Sequence, residues 1–136
     1  MRISVFRKAH FNAAHRLHVP SWSDEKNLEV FGKCANPHFH GHNYDLEVKV
    51  TGDVDPETGI LINLKDLKEI IRVEIEDKLD HRNLNEEIPE FKELVPTVEN
   101  ICFVIWRILR MHLEARYDLK VRLYETPRNF VEYPAD

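Results

Sequence analysis

The stretch from His40 to Val50 constrains this chain more than any other. His40, His42, Tyr44, Leu46, Val48 and Val50 take alternate positions, with Asn43, Asp45, Glu47 and Lys49 between them. Successive side chains of a strand point to opposite faces, so the pattern specifies one long strand with a mostly apolar face and a polar one. A one-residue slip would turn the whole apolar set to water, which fixes the register. A strand of this kind belongs in an antiparallel sheet covered on one side only.

The rest of the chain supplies partners for it. Ile3, Val5, Phe11, Ala13 and His15 share one phase of a second strand over residues 2–16, with an irregularity expected near Phe6. Residues 17–39, richer in Pro, Ser, Asn and Asp, read as a long connection, a kind of segment that often carries function. Leu67, Ile71, Ile75 and Leu79 recur four apart behind an N-capping Asn63, which predicts a helix. Pro96-Thr97 opens another, with Thr97 as N-cap and Ile101, Val104, Ile105, Ile108 and His112 on its inner side. The period returns to two at Leu119, Val121, Leu123 and Glu125, and a turn over residues 126–129 leads to a last short strand through Phe130 and Val131. The expected fold is α+β, in the order ββααββ, with both helices on one face of an antiparallel sheet. Repeats, low-complexity tracts and linkers are absent, so residues 1–136 read as a single domain.

Bulk properties narrow the function classes. The chain is 43% hydrophobic and 32% charged, as ordinary globular proteins are. A formal net charge of -5 argues against nucleic acid or anionic lipid as a partner. No apolar run approaches the roughly 18 residues of a membrane span, and no signal-peptide pattern stands at the N-terminus. Cys34 and Cys102 sit in unlike contexts, which speaks against a disulfide framework and for a reducing, cytoplasmic setting.

The chemistry concentrates in a few residues. His40 and His42, two apart on a strand, present both imidazoles to the same side, where one metal can bridge them. His15 ends the other strand on the phase of Phe11 and Ala13 and can add a third nitrogen. Three neutral imidazoles suit Zn²⁺ and leave a fourth position open; the plainer reading is a hydrogen-bonded polar rim. Cys34 reads as a fourth ligand, a catalytic thiolate or a small buried residue. Asp80-His81 is either an oriented acid–base pair or an ordinary charged pair at a helix end. Glu125 continues an apolar phase, so it is either a buried carboxylate that needs partners or a strand end facing solvent. Glu99 complements the dipole of its helix. His10, His18 and His112 lack a partner pattern and read as surface or satisfied interior histidines, and Cys102 as core or interface.

Six segments in order carry a resemblance. They are Phe11-Asn-Ala-Ala-His15, Cys34-Ala-Asn-Pro-His-Phe-His40-Gly-His42-Asn-Tyr44, Asn63-Leu-Lys-Asp-Leu-Lys68, Leu79-Asp-His-Arg-Asn-Leu-Asn85, Pro96-Thr-Val-Glu-Asn100 and Tyr124-Glu-Thr126. Together they resemble the 6-pyruvoyl-tetrahydropterin synthase family, which includes the 6-carboxy-tetrahydropterin synthases. The resemblance implies a tunnelling fold and homohexamers built as two trimers, with active sites between subunits. It implies zinc on His15, His40 and His42, Cys34 as the base, and Asp80 and His81 as a proton relay. Glu125 would grip the pterin ring, with Thr97 and Glu99 near it. The implied reaction is a lyase step on dihydroneopterin triphosphate that gives the pyruvoyl product. Alternatives are the carboxy product of queuosine synthesis and a zinc-stabilised pterin-binding module without turnover. Five residues between Cys34 and His40 resemble the pyruvoyl branch; His38 then stands as a non-ligand. Val98 departs from the pattern, where a second hydroxyl residue is usual.

Overall fold

The computed structural model describes all residues, Met1–Asp136. Two long strands, β1 (Arg2–His15) and β2 (His40–Asp53), form its spine, paired antiparallel without a break from Arg2↔Asp53 to His15↔His40. The irregularity expected near Phe6 does not occur: Phe6 pairs with Lys49 in register and lies on the outer face. Helix α1 (Asp24–Phe31) and a 3-10 turn (Gly32–Ala35) connect the two strands. Residues 17–39 are therefore not a plain connection. Ser23 caps α1 by accepting from the Lys26 amide, and Leu28 and Val30 stay exposed. That helix has no apolar stripe to announce it.

A long helical stretch follows as α2 (Leu64–Ile71), a π turn (Arg72–Glu76) and α3 (Asp77–Leu79). Spacing of four is slightly longer than the α-helical repeat, and the wider π turn absorbs the surplus. Leu67, Ile71, Ile75 and Leu79 are all fully buried as a result. Two-residue β3 (Arg82–Asn83) pairs parallel to Ala13 and Ala14, and short α4 (Leu84–Glu87) follows it. Helix α5 (Val98–His112) buries Ile101, Val104, Ile105 and Ile108, but His112 is exposed at its end and faces Glu74 at 3.3 Å. Strands β4 (Asp118–Tyr124) and β5 (Phe130–Tyr133) complete the sheet, in the order β3-β1-β2-β4-β5.

The sheet is antiparallel except for the β1–β3 pair, and the core fills the space between its inner face and the helices. Tyr44, Leu46, Val48, Val50, Val121 and Leu123 face inward, each fully buried. Their polar neighbours line the other face. Along β1, only Ala13 and Ala14 have a partner on the β3 side, and β5 covers β4 only from Val121 to Tyr124. Both edges of the sheet thus end in unpaired backbone. This placement brings the end of β1 and the start of β2 together at one end of the core.

Candidate metal centre

Antiparallel pairing sets His15 opposite His40 and Ala13 opposite His42, all on the inner phase. Three imidazoles consequently meet at one corner, and one ligand atom from each lies within 4.8 Å of the others. Their rings sit edge-on, with centroids 4.7, 5.1 and 5.0 Å apart, and none stacks on another. His15 Nε2 and His40 Nε2 approach to 3.1 Å. His42 Nε2 is buried and has no hydrogen-bond partner at all.

The entry to β2 sets this geometry. Asn36 turns the chain by accepting from the His38 amide at 2.9 Å, and the Phe39 amide donates to the Asn36 carbonyl at 3.1 Å. Phe39 then takes a positive φ of 66°, a conformation that bulky residues rarely adopt. That twist delivers His40 onto the inner phase. His38 is exposed and stands outside the cluster, as the expected spacing requires.

The tautomer of His15 follows from the carbonyl that it meets. His15 Nδ1 lies 2.8 Å from the Pro96 carbonyl, which can only accept, so Nδ1 carries the proton and Nε2 offers its lone pair to the centre. Burial drives His15 down to about 4, against the raising effect of the Pro96 bond, and His40 and His42 add to the lowering. Burial and His42 also lower His40, while Glu125 opposes them. Neutral imidazoles are the form that binds a metal. Three converging nitrogens, one of them a buried orphan, fit a divalent cation of the Zn²⁺ type with a position left open.

Other expected residues fall into two groups. Cys34 lies half-buried in the 3-10 turn, held there because the Leu17 amide donates to its carbonyl at 2.8 Å. Burial, then Glu125, pushes its thiol upward, so the protein alone keeps the sulfur protonated. Glu125 follows β4 directly, one residue past the last pair Asp45↔Tyr124, where its amide donates to the Asn129 carbonyl at 3.1 Å. It is half-buried, and its charge reaches Cys34, His40 and Tyr44. Thr97 caps α5 by accepting from the Asn100 amide, and exposed Glu99 stands in the first turn, close in sequence to the Pro96 carbonyl that holds His15.

Asp80 and His81 stand apart. Asp80 accepts from the Asn12 amide at 2.8 Å and pairs with His81 Nδ1 at 2.9 Å. The Asn12 bond, then His81, holds the Asp80 carboxyl below its usual range. His81 has a positive φ of 61°, and its side chain is 82% exposed. Within one chain the pair bonds to none of the three histidines, Cys34 or Glu125. It faces outward along the edge of β1.

Two contributors escape a reading of side-chain types. Pro96 acts through its carbonyl, which leaves no mark in the sequence. Tyr44 is fully buried and packs edge-on against His42 and His15, with centroids 5.7 and 6.3 Å away. Its place on the phase of His40 and His42 was the available signal. Burial, with Glu125 and Cys34, pushes its hydroxyl far above the usual tyrosine range.

Comparison with known proteins bears on this corner directly. The sequence profile of the family described as 6-pyruvoyl tetrahydropterin synthase matches residues 4–136. A 6-pyruvoyl tetrahydrobiopterin synthase of Pongo abelii is 46% identical over 132 residues, spanning 97% of this chain and 91% of its own. The Homo sapiens protein of that name is 45% identical, over 97% and 91%. A solved structure of the Caenorhabditis elegans 6-pyruvoyl tetrahydropterin synthase superposes with a TM-score of 0.92 at 38% identity, covering 98% of this chain and 95% of that one. Sheet and helices are shared along nearly the whole length, and the chain belongs to the 6-pyruvoyl tetrahydropterin synthase family.

Proposed function

We propose that the chain is a zinc-dependent lyase that converts 7,8-dihydroneopterin triphosphate to 6-pyruvoyl-tetrahydropterin with loss of triphosphate. The observation that carries the reading is the corner of three converging histidines beside Cys34 and Glu125, within a fold shared end to end with enzymes of that name. His15, His40 and His42 would hold the ion, which when bound acidifies neighbouring hydroxyl and C–H groups. Cys34 takes a proton from the substrate side chain as triphosphate departs. Glu125 accepts two N–H bonds from the guanidine-like edge of the pterin, as a carboxylate does well. Thr97 and Glu99 lie alongside the ring. Oxidation of the side chain to a diketone balances reduction of the ring, so no redox cofactor enters. The purified protein, given the triphosphate substrate, is expected to yield the diketone by mass. Carboxytetrahydropterin with acetaldehyde would assign the other branch, and no turnover a binding module.

Asp80 and His81 complete the relay from a neighbouring copy. Their exposure beside β3, which covers the outer edge of β1 only at its last residues, supports this, since the unpaired remainder of that edge calls for cover by another chain. A homohexamer of two trimers is the expected assembly. Light scattering should give about six times the mass of the 16.1 kDa chain, and a monomer mass at micromolar concentration would refute it. Cytoplasmic residence agrees with two free cysteines.

Glu125→Gln separates ligand recognition from fold. The amide keeps size and shape but loses the charge and one acceptor, which leaves a ring N–H unpaired. Affinity for a dihydropterin should fall by about tenfold or more. Zinc content should stay, and the melting temperature should hold or rise, because an unpaired charge leaves a desolvated corner. Calorimetric titration beside a melting curve reads both. Unchanged affinity with a large drop in melting temperature would make Glu125 a structural residue.

A further inference from the structure

We propose that Arg16, with His18 beside it, forms the subsite for the substrate's triphosphate, a polyanion subsite next to the metal corner. This rests on the pterin-triphosphate reading above. Arg16 follows the ligand His15 directly, where the β1–β2 pairing stops. Its backbone is clamped by one side chain: the Arg16 amide donates to Asn85 Oδ1 at 2.8 Å, and Asn85 Nδ2 donates to the Arg16 carbonyl at 2.9 Å. The guanidinium is fixed as well, because Nε donates to the Ala35 carbonyl at 2.9 Å, one residue from Cys34. Its two terminal nitrogens make no hydrogen bond, and unlike Arg2, Arg72, Arg82, Arg116 and Arg122 it pairs with no carboxylate.

A half-buried, immobilised guanidinium without an anion is costly unless something negative comes to it. Space for that exists on both sides. A cavity of about 640 Å³ is bounded by Arg16, His18 and Lys33, with Asp24 as its acid. Another of about 450 Å³ is bounded by Arg16, His18 and Lys92, with Glu93 as its acid. Arg16 and His18 are common to both, and each cavity has a lysine to offset its single carboxylate. Pro96, whose carbonyl orients His15, lines the second. Arg16 adjoins the metal corner as the residue after His15 and through its bond to Ala35 beside Cys34, so phosphates extending away from a side chain held at the histidines would reach it first. The two free N–H groups of the fork match two phosphate oxygens at once, a geometry that lysine cannot supply.

Titration calorimetry on the zinc-loaded protein tests this with two probes, inorganic tripolyphosphate and dihydroneopterin, which has the ring and no phosphate. Arg16→Met should weaken tripolyphosphate by about thirtyfold, since a charge-assisted fork is lost. His18→Ala should weaken it by roughly threefold, and it removes a side chain that makes no hydrogen bond in the structure. Dihydroneopterin affinity should change by less than about twofold in both, with zinc retained after each titration. Tripolyphosphate affinity unchanged in Arg16→Met overturns the subsite. So does equal weakening of both probes in Arg16→Met with His18→Ala silent, which would make Arg16 a support for the fold. Wild-type protein that binds tripolyphosphate through Arg16 yet ignores dihydroneopterin would keep the subsite and strike the pterin assignment instead.

Discussion

His42→Ala is expected to strip zinc from the protein, from about one ion per subunit to below roughly a tenth, with turnover lost alongside. The reason is local. His42 Nε2 is buried with no partner, so its only use in the structure is toward the centre that it shares with His15 and His40. Removing one of three protein ligands leaves two imidazoles that cannot hold an ion through gel filtration. His40→Ala should behave alike. The fold should survive, because His40 and His42 stand at the end of β2 and the fully buried layer runs from Tyr44 onward. Elemental analysis reads the outcome, and a full ion per subunit in either variant contradicts the three-histidine assignment.

Cys34→Ala should separate chemistry from metal. Turnover is expected to fall by about 10²–10⁴-fold, the usual effect of losing a positioned general base. Zinc should stay at the wild-type level. The thiol belongs to a 3-10 turn that hydrogen-bonds to Leu17 through its backbone, so alanine preserves the turn. Burial and Glu125 both hold the sulfur protonated, so on the proposed reading a bound cation would have to supply the acidification that makes it a base. Single-turnover kinetics beside zinc analysis would settle it. Zinc lost together with activity would place Cys34 among the ligands.

Much of this site was legible because a strand has a rigid period. Once His40, His42 and Tyr44 share a phase with Leu46 and Val48, burying the leucine fixes where the imidazoles point. Glu125 comes one residue past β4, half-buried and with no hydrogen-bonded partner for its carboxylate in the chain, so the period that flagged it does not by itself say what it pairs with. Spacing alone could not show that the Pro96 carbonyl sets the His15 tautomer, because a backbone acceptor carries no residue signature. Nor could it place Asp80-His81. An acid beside an imidazole reads as a relay from residue types alone, yet within one chain its contacts run to the Asn12 backbone beside β3 and not to the metal corner.

The fold was read less completely where burial is weak. Helix α1 went unseen because Leu28 and Val30 face water, and its order comes from the Ser23 cap and from Asn27, whose side chain both accepts from and donates to the Val19 backbone. For His112 the helical phase points inward while the lack of a partner pattern allows a surface place, and the structure exposes it one turn beyond the last buried residues of α5. At a helix end the covering layer stops and the phase no longer decides exposure. The stripe from Leu67 to Leu79 predicts a helix but not its π turn, which the structure inserts at Arg72–Glu76 to keep residues four apart on one face.

The most direct test of the account is the X-ray absorption fine structure of the zinc-loaded protein at the zinc edge. Three nitrogen scatterers at about 2.0–2.1 Å with imidazole outer shells, the remaining position filled by oxygen and no sulfur present, are the predicted result. A sulfur at about 2.3 Å would mean that Cys34 closes the site, and fewer than three imidazoles would mean that His15, His40 and His42 do not hold the ion together.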